Sequence, residues 1–332
     1  MIGNLKTRNN VFLAPMSGVT DEPFRAIAHE AGAGLVVSEM VASEELVRER
    51  PDMMRRARGQ KKLSPFVMQL AGREAHWMSE GVKVAQDLGA DIIDINMGCP
   101  ARQVTGGLSG SALMRNLDHA LTLIEATVAA AQVPVTLKMR LGWDENSLNA
   151  PELARRAEAA GIALITVHGR TRCQFYTGKA DWKAIHAVRK VIKIPLIANG
   201  DGQTADDAKA MMQASGADGI MIGRGSYGRP WWPGVIAEAL KSGAGKSEPS
   251  LAVEQAYVIS QHQETLSLYG EVLGNRTFRK HLGWTITRLR ERELISTENA
   301  ENLRRTLLRE SDNQKVLVGI KTIYAKQLEN AA

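Results

Sequence analysis

Over the first three quarters of the chain, short runs rich in β-branched residues alternate with longer segments that repeat apolar residues at helical spacing. This pattern predicts a parallel sheet with crossover helices. Eight such runs can be counted: Val11 to Ala14, Leu35 to Met40, Pro65 to Leu70, Ile92 to Asn96, Val135 to Met139, Leu164 to Val167, Pro195 to Ala198 and Gly219 to Ile222. Each is followed by a helical stretch, and eight βα units in about 240 residues match the size of a closed (β/α)8 TIM barrel. A doubly wound open sheet would carry a glycine-rich phosphate turn after its first strand. Here the first strand runs into Ala14-Pro15-Met16-Ser17-Gly18, and the glycine-rich turns come late, as Asn199-Gly200-Asp201-Gly202 and Gly223-Arg224-Gly225. A barrel places its phosphate site in the loops after strands seven and eight, so this order favours closure.

The alternation ends at Lys241 to Ser250, which reads KSGAGKSEPS, a small, polar and helix-breaking stretch. Residues 1–240 are therefore expected to form the barrel, 241–250 a linker, and 251–332 a small all-helical domain. Phe278, Leu282, Ile286 and Leu289 recur there at helical spacing.

Composition narrows the class. The chain has 332 residues, 44% apolar and 23% charged, which excludes a disordered or collagen-like polymer. Its N-terminus lacks a signal-peptide core, and the apolar run Val11 to Met16 is broken by Pro15, so a cytoplasmic location without membrane contact is expected. Two cysteines, Cys99 and Cys173, are too few for a disulfide framework or a cysteine-based zinc site, and no metal is expected. The net charge of +6 suits a polyanionic partner and serves solubility equally well.

Chemistry in a barrel is carried at the C-terminal ends of its strands. Polar residues end nearly every strand here: Ser17, Gln69, Asn96 with Cys99, Lys138 with Arg140, His168 with Arg170, Asn199 to Asp201, and Gly223 with Arg224. Gly200 and Gly223 would let backbone N–H groups approach a phosphate, with Arg224 adding charge-assisted bonds, although any one of these glycines is explained equally by a turn. Lys138 sits in the apolar run Val133 to Leu141, where a casual charge is unexpected. Cys99 precedes a proline; alone it reads first as an inert buried thiol and only then as a proton donor or a nucleophile.

Six motifs carry a specific resemblance. APMSGVTD at 14–21, INMGCP at 95–100, LKMRLGW at 137–143, VHGRT at 167–171, ANGD at 198–201 and IGRGSYGRPW at 222–231 are similar, in this order, to the tRNA-dihydrouridine synthase family. RKHLGW at 279–284 resembles the family's helical RNA-binding domain, most closely in its bacterial B branch. The resemblance implies FMN as cofactor, held by Ala14, Pro15, Met16, Ser17, Gln69, Lys138, His168, Asn199, Gly200, Asp201, Gly223 and Arg224, with Lys138 near flavin N1 and O2. It implies that Cys99 protonates uridine C5 while hydride reaches C6, and that tRNA is the substrate, with the D-loop uridine at tRNA position 17 suggested by the B branch. NADPH or NADH is the expected reductant, binding transiently because no dinucleotide fingerprint is present. Asn96, Arg140 and Arg170 are expected to contact the substrate. Cys173 lies outside the motifs and is expected to be structural. A monomer without DNA-binding activity is expected.

The tail adds an electrostatic argument. From Asn275 to Arg292 six basic residues face one acidic residue, Glu291. On a helical wheel Arg276, Lys280, Trp284 and Arg288 share an arc opposite Phe278, Leu282, Ile286 and Leu289. With Arg279, these residues are the expected RNA surface; a charge run taken alone is as well read as a solvated face. Two other readings compete: a flavoenzyme acting on a free base, of the dihydroorotate or dihydropyrimidine dehydrogenase type, and a non-enzymatic RNA-binding or regulatory protein. The first has no use for a basic helical tail, and the second has none for Lys138 with Cys99.

Overall fold

The computed structural model describes residues 1–58, 63–243 and 248–331. Nine strands are present among them: β1 (Val11–Leu13), β2 (Leu35–Val36), β3 (Val41–Ala42), β4 (Val67–Ala71), β5 (Ile92–Met97), β6 (Val135–Arg140), β7 (Leu164–His168), β8 (Leu196–Asn199) and β9 (Gly219–Ile222). The α-helices of the barrel are α1 (Glu22–Glu30), α2 (Ser43–Val47), α3 (Pro51–Ala57), α4 (Ala75–Asp87), α5 (Arg102–Gly106), α6 (Leu117–Ala130), α7 (Ala150–Ala159), α8 (Trp182–Arg189), α9 (Ala205–Ser215) and α10 (Trp232–Ser242). Four more follow: α11 (Leu251–Tyr269), α12 (Glu271–Glu291), α13 (Thr297–Thr306) and α14 (Asn313–Ala331).

All strand pairs are parallel, in the order β2-β1-β9-β8-β7-β6-β5-β4-β3. A bridge between Val37 and Val67 joins the two ends, with Ser38 N–H donating to the Val67 carbonyl at 3.0 Å. The expected eight-stranded (β/α)8 barrel is thus the observed architecture. One expectation needs correcting: Leu35 to Met40 is not one strand but is replaced by β2 and β3. Its polar centre breaks the ladder. Ser38 Oγ accepts from Gln69 N–H at 2.9 Å and donates to the Glu39 carbonyl, while the Glu39 carboxylate turns away to accept from Gly18 N–H.

Period-two alternation sorts each strand into an outer and an inner set. Outward residues such as Met68, Leu70, Ile93, Ile95, Leu137, Met139, Ile165 and Val167 pack against the helices in the largest core. Inward residues at the strand starts, Phe12, Val67, Ile92, Leu164 and Ile197, form a second apolar cluster closed below by Ile2. Further along the same strands the inward positions turn polar. The barrel is therefore plugged at one end and chemically equipped at the other.

The helical unit has its own core, built around Phe278, Leu282, Ile286, Val316, Ile320 and Tyr324. It is not a free appendage. Trp284 stacks on Tyr227 of the barrel with ring centroids 4.0 Å apart and planes 14° apart, and His281 lies 5.6 Å from Phe24. The expected linker is only partly one: α10 runs to Ser242, residues 244–247 lie outside the described residues, and Glu248 folds back to accept from Trp231 Nε1 at 2.8 Å and Arg229 Nη1 at 3.2 Å.

Gly228 sets the closeness of this seam. Its φ is +70°, and a Cβ there would stand 2.6 Å from the Trp284 carbonyl carbon. Gly243 has a similar φ of +69° but open space around it. Gly243→Ala should therefore cost only the backbone strain, about 1–2 kcal/mol. Gly228→Ala should cost more and should raise amide hydrogen exchange selectively in α12, because the helix must move off the barrel. Equal stabilities and equal exchange in the two variants would show that the seam tolerates a gap.

Candidate active site

The polar inward residues meet at the C-terminal mouth of the barrel, and strand register decides which ones touch. Gln69 is paired with Asp94, and Asp94 with Thr136. The side chains follow suit: Gln69 Nε2 donates to Asp94 Oδ2 at 2.7 Å, and Thr136 Oγ1 to Asp94 Oδ1 at 2.6 Å. With its amide nitrogen committed, Gln69 presents Oε1 to Asn96 Nδ2 at 2.8 Å. Asn96 Oδ1 is then turned toward the loop beyond β5, where it accepts from Gly98 N–H at 3.2 Å and Cys99 N–H at 2.9 Å. A single buried carboxylate thus orients two amides in series and, through them, the cysteine loop. Burial raises the Asp94 carboxyl above the usual range.

The far side of the loop is pinned as well. The Cys99 carbonyl accepts from Ser111 N–H at 3.0 Å and from Ser111 Oγ at 2.8 Å. Gly110, at φ +60°, is what permits this approach, since a Cβ there would lie 2.9 Å from the Cys99 carbonyl oxygen. Cys99 itself is half-buried and lines a cleft of about 570 Å³ together with Ser17, Gln69, Asn96, Lys138 and His168. That volume lies in the range of small-molecule and cofactor sites.

Lys138, half-buried, reaches across the mouth to Asn199 Oδ1 at 3.2 Å. Burial and the neighbouring Arg140 bring its ammonium down to about 8, opposed by Asp94 and Cys99. His168 is held well below its ordinary value by burial and by the surrounding Arg140, Lys138, Arg170 and Arg224. It is therefore neutral. Its Nε2 lies 3.3 Å from Arg170 Nη1, so that nitrogen accepts and the proton resides on Nδ1.

The expected cofactor residues Ala14, Pro15, Met16, Ser17, Gln69, Lys138, His168, Asn199, Gly200, Asp201, Gly223 and Arg224 all line this one cleft. The glycine-rich corner adds Gly202 and Gly225. Arg224 is exposed, pairs with Asp201 Oδ1 at 2.8 Å, and lies 5.2 Å from the ring centre of Tyr176. The corner fits a phosphate, with side-chain-free backbone beside a guanidinium. Lys138 fits the edge of a ring that carries negative charge.

Two expected substrate residues have other tasks here. Arg140 is 1% exposed and spends its guanidinium on the carbonyls of Gly98 (2.9 Å), Thr171 (2.8 Å) and Phe175 (2.8 Å). It lines the cleft but ties the loop after β5 to the loop after β7. Arg170 does not line the cleft. Buried to the same degree, it grips both oxygens of Asp201 at 2.9 and 2.6 Å and donates to the carbonyls of Thr177 and Gly178. Cys173, expected to be structural, is exposed. Sequence reasoning missed Asp94, although the alternation in Ile92–Met97 places it inward beside Asn96. It also missed Phe175, Tyr176 and Tyr227, loop aromatics of the cleft wall that no periodicity marks.

In α12 the expected RNA residues divide. Lys280 points its Nζ at the first βα loop, 3.7 Å from where a Gly18 Cβ would stand, and Trp284 is half-buried on Tyr227. Arg276 is exposed. Arg279 donates to the Glu310 carbonyl, and Arg288 pairs with Glu291 at 2.9 Å. Lys280 and Trp284 thus meet the barrel's loops beside the cleft, whereas Arg276 is solvent-exposed.

Comparison with known proteins identifies the arrangement. The family model described as Dihydrouridine synthase (Dus) matches residues 12–327. The chain belongs to the dihydrouridine synthase family. A relative from Rhizobium leguminosarum bv. phaseoli, named "Probable tRNA-dihydrouridine synthase", is 58% identical over 89% of this chain and 90% of its own. One of the same name from Rhodobacter capsulatus is 51% identical over 98% of both chains. The "tRNA-dihydrouridine synthase B" of Pseudomonas putida is 43% identical over 85% of this chain and 84% of its own. Among solved structures, a histamine dehydrogenase from Rhizobium sp. 4-9 superposes with a TM-score of 0.54 at 14% identity, covering 79% of this chain and 50% of that one, a likeness of fold alone.

In this dihydrouridine synthase fold the Arg170–Asp201 pair ties the loop after β7 to the loop after β8. Removing one partner of a buried pair typically costs about 3–5 kcal/mol. Arg170→Ala should lower the unfolding free energy read from urea denaturation by up to that amount, since Asp201 keeps Arg224 and the Ala180 N–H, and Arg170→Lys should not restore it, because an ammonium cannot grip both Asp201 oxygens. Full restoration by lysine would reduce the contact to simple charge.

Proposed function

We propose that this chain is a flavin-dependent tRNA-dihydrouridine synthase that reduces the 5,6 double bond of a uridine in tRNA, with FMN in the cleft and NADPH or NADH as reductant. The carrying observation is that Cys99 and Lys138 face one cleft from adjacent strands, each held by a buried hydrogen-bond network. The names of the relatives supply the substrate, and likeness to the B type favours the D-loop uridine at tRNA position 17.

FMN bound in this cleft supplies hydride to uridine C6. Gly200, Gly223 and Arg224 would hold its phosphate, and Lys138 with Ala14 to Ser17 would hold its ring. Lys138 supplies the positive charge that a reduced ring needs at N1 and O2. Cys99 supplies the proton from Sγ to C5, so one hydride and one proton saturate the bond. Asn96 keeps the cysteine loop from drifting, and Arg140 holds the same loop through the Gly98 carbonyl. A uridine reaches such a recessed centre only when extruded from the folded RNA.

Proton donation separates reduction of the cofactor from reduction of the RNA. Cys99→Ala should retain FMN and accept hydride from NADPH, while reoxidation by tRNA slows about 10²- to 10⁴-fold, the usual contribution of a general acid. Stopped-flow absorbance of the flavin reads both half-reactions, with Cys173→Ala as control. A parental rate of reoxidation in Cys99→Ala would assign the proton to water or another group.

A further inference from the structure

Helix α3 follows β3 and so stands on the same rim of the barrel as the cleft, on the side where the first βα loop meets the helical domain. Its sequence and the residue after it bring Arg55, Arg56 and Arg58 together. Arg56 is half-buried and lines the cleft that holds Cys99. Arg55 places its guanidinium 5.0 Å from the ring centre of Tyr269, the last residue of α11. Arg58 is exposed. Just upstream, Arg48 pairs with Glu44 at 2.8 Å, and Arg50 with Glu45 at 3.1 Å and Asp52 at 3.4 Å. Among the described residues, no carboxylate pairs with Arg55, Arg56 or Arg58.

The charge on α3 is continuous with that on α12. Tyr269 lies beside the Asp21 carboxylate, and Lys280 of α12 interacts with the same carboxylate. Arg55, Tyr269, Asp21 and Lys280 thus form one chain across the domain seam, and the loop they bracket contributes Ser17 and Val19 to the cleft. Cations in the last turn of a helix also favour its dipole, which accounts for one or two charges on α3 but not for their leading away from the cleft toward a second domain.

We propose that α3 is a phosphate-binding surface for the RNA, holding the backbone next to the target uridine on the side of the cleft that it shares with Lys280. The ligand chemistry is a chain of phosphodiesters, because Arg56 lines the cleft while Arg55 stands at Tyr269 of the helical domain, so the guanidiniums do not converge on one point as they would for a single phosphate group. This inference rests on the functional reading above.

The test uses the full-length FMN-loaded enzyme, an unmodified tRNA transcript, and a series of KCl concentrations. Each lost phosphate contact to a single strand lowers the slope of log K against log salt by about 0.7. Combining Arg55→Ala, Arg56→Ala and Arg58→Ala should therefore lower the slope by about 2 and weaken binding at least tenfold at low salt. Combining the three Arg→Lys changes should keep most of the slope, and this second variant guards against loss through misfolding. Unchanged slope and affinity in the alanine variant, with a parent that binds tRNA, would overturn the inference, as would a raised KM for NADPH in place of weaker tRNA binding. A parent that does not bind tRNA would remove the functional reading and this inference with it.

Discussion

An ammonium group held in the mouth of a barrel is costly unless hydrogen-bonded and balanced, and Lys138 is the charge around which the rest of the mouth is arranged. Asn199 accepts from it, and Asp94 lies near enough to hold its charge against the pull of burial and of Arg140. Asp94 cannot serve Lys138 alone, because it also receives Gln69 and Thr136. Hydrogen bonds join β4, β5 and β6 through Asp94 and β6 to β8 through Lys138, and the charges of Asp94 and Lys138 couple the two groups. Disturbing Asp94 or Gln69 shifts Asn96, the partner that orients Cys99.

The loops above this layer are fixed by the two buried arginines. Arg140 binds carbonyls from two loops at once, and Arg170 clamps Asp201, which in turn receives Arg224. Tyr176 lies near the guanidiniums of both Arg140 and Arg224, at 5.4 and 5.2 Å from ring centre to guanidinium carbon. The phosphate corner and the cysteine loop are consequently coupled through protein, so that rigidity at one end supports position at the other.

Much of this was legible in the sequence because strand alternation is a geometric rule. Gln69, Asn96, Lys138, His168 and Asn199 end strands whose outward neighbours are apolar, and they meet in one cleft. The rule also reaches Asp94, which the inward phase of β5 exposes once it is followed past Asn96. What the rule cannot reach is the destination of a long side chain. Arg140 and Arg170 end strands as Lys138 does, yet their partners are loop carbonyls set by tertiary folding, and nothing in local spacing marks them. The split at Ser38 and Glu39 was hidden for a similar reason: Leu35 to Met40 reads as one apolar run until the distant Gln69 and Gly18 claim its polar atoms. In α12 the helical wheel correctly grouped Lys280 with Trp284, but only the close approach at Gly228 shows that this face meets the barrel.

In this reading the cleft uses a bound flavin to saturate a uridine in RNA. The most direct measurement is mass mapping of an unmodified tRNA transcript after incubation with the purified protein, FMN and NADPH. The account predicts that one D-loop fragment gains the mass of two hydrogens, and that the gain disappears when FMN is withheld from flavin-free protein. A transcript that stays unchanged while a free pyrimidine base is reduced under the same conditions would contradict it.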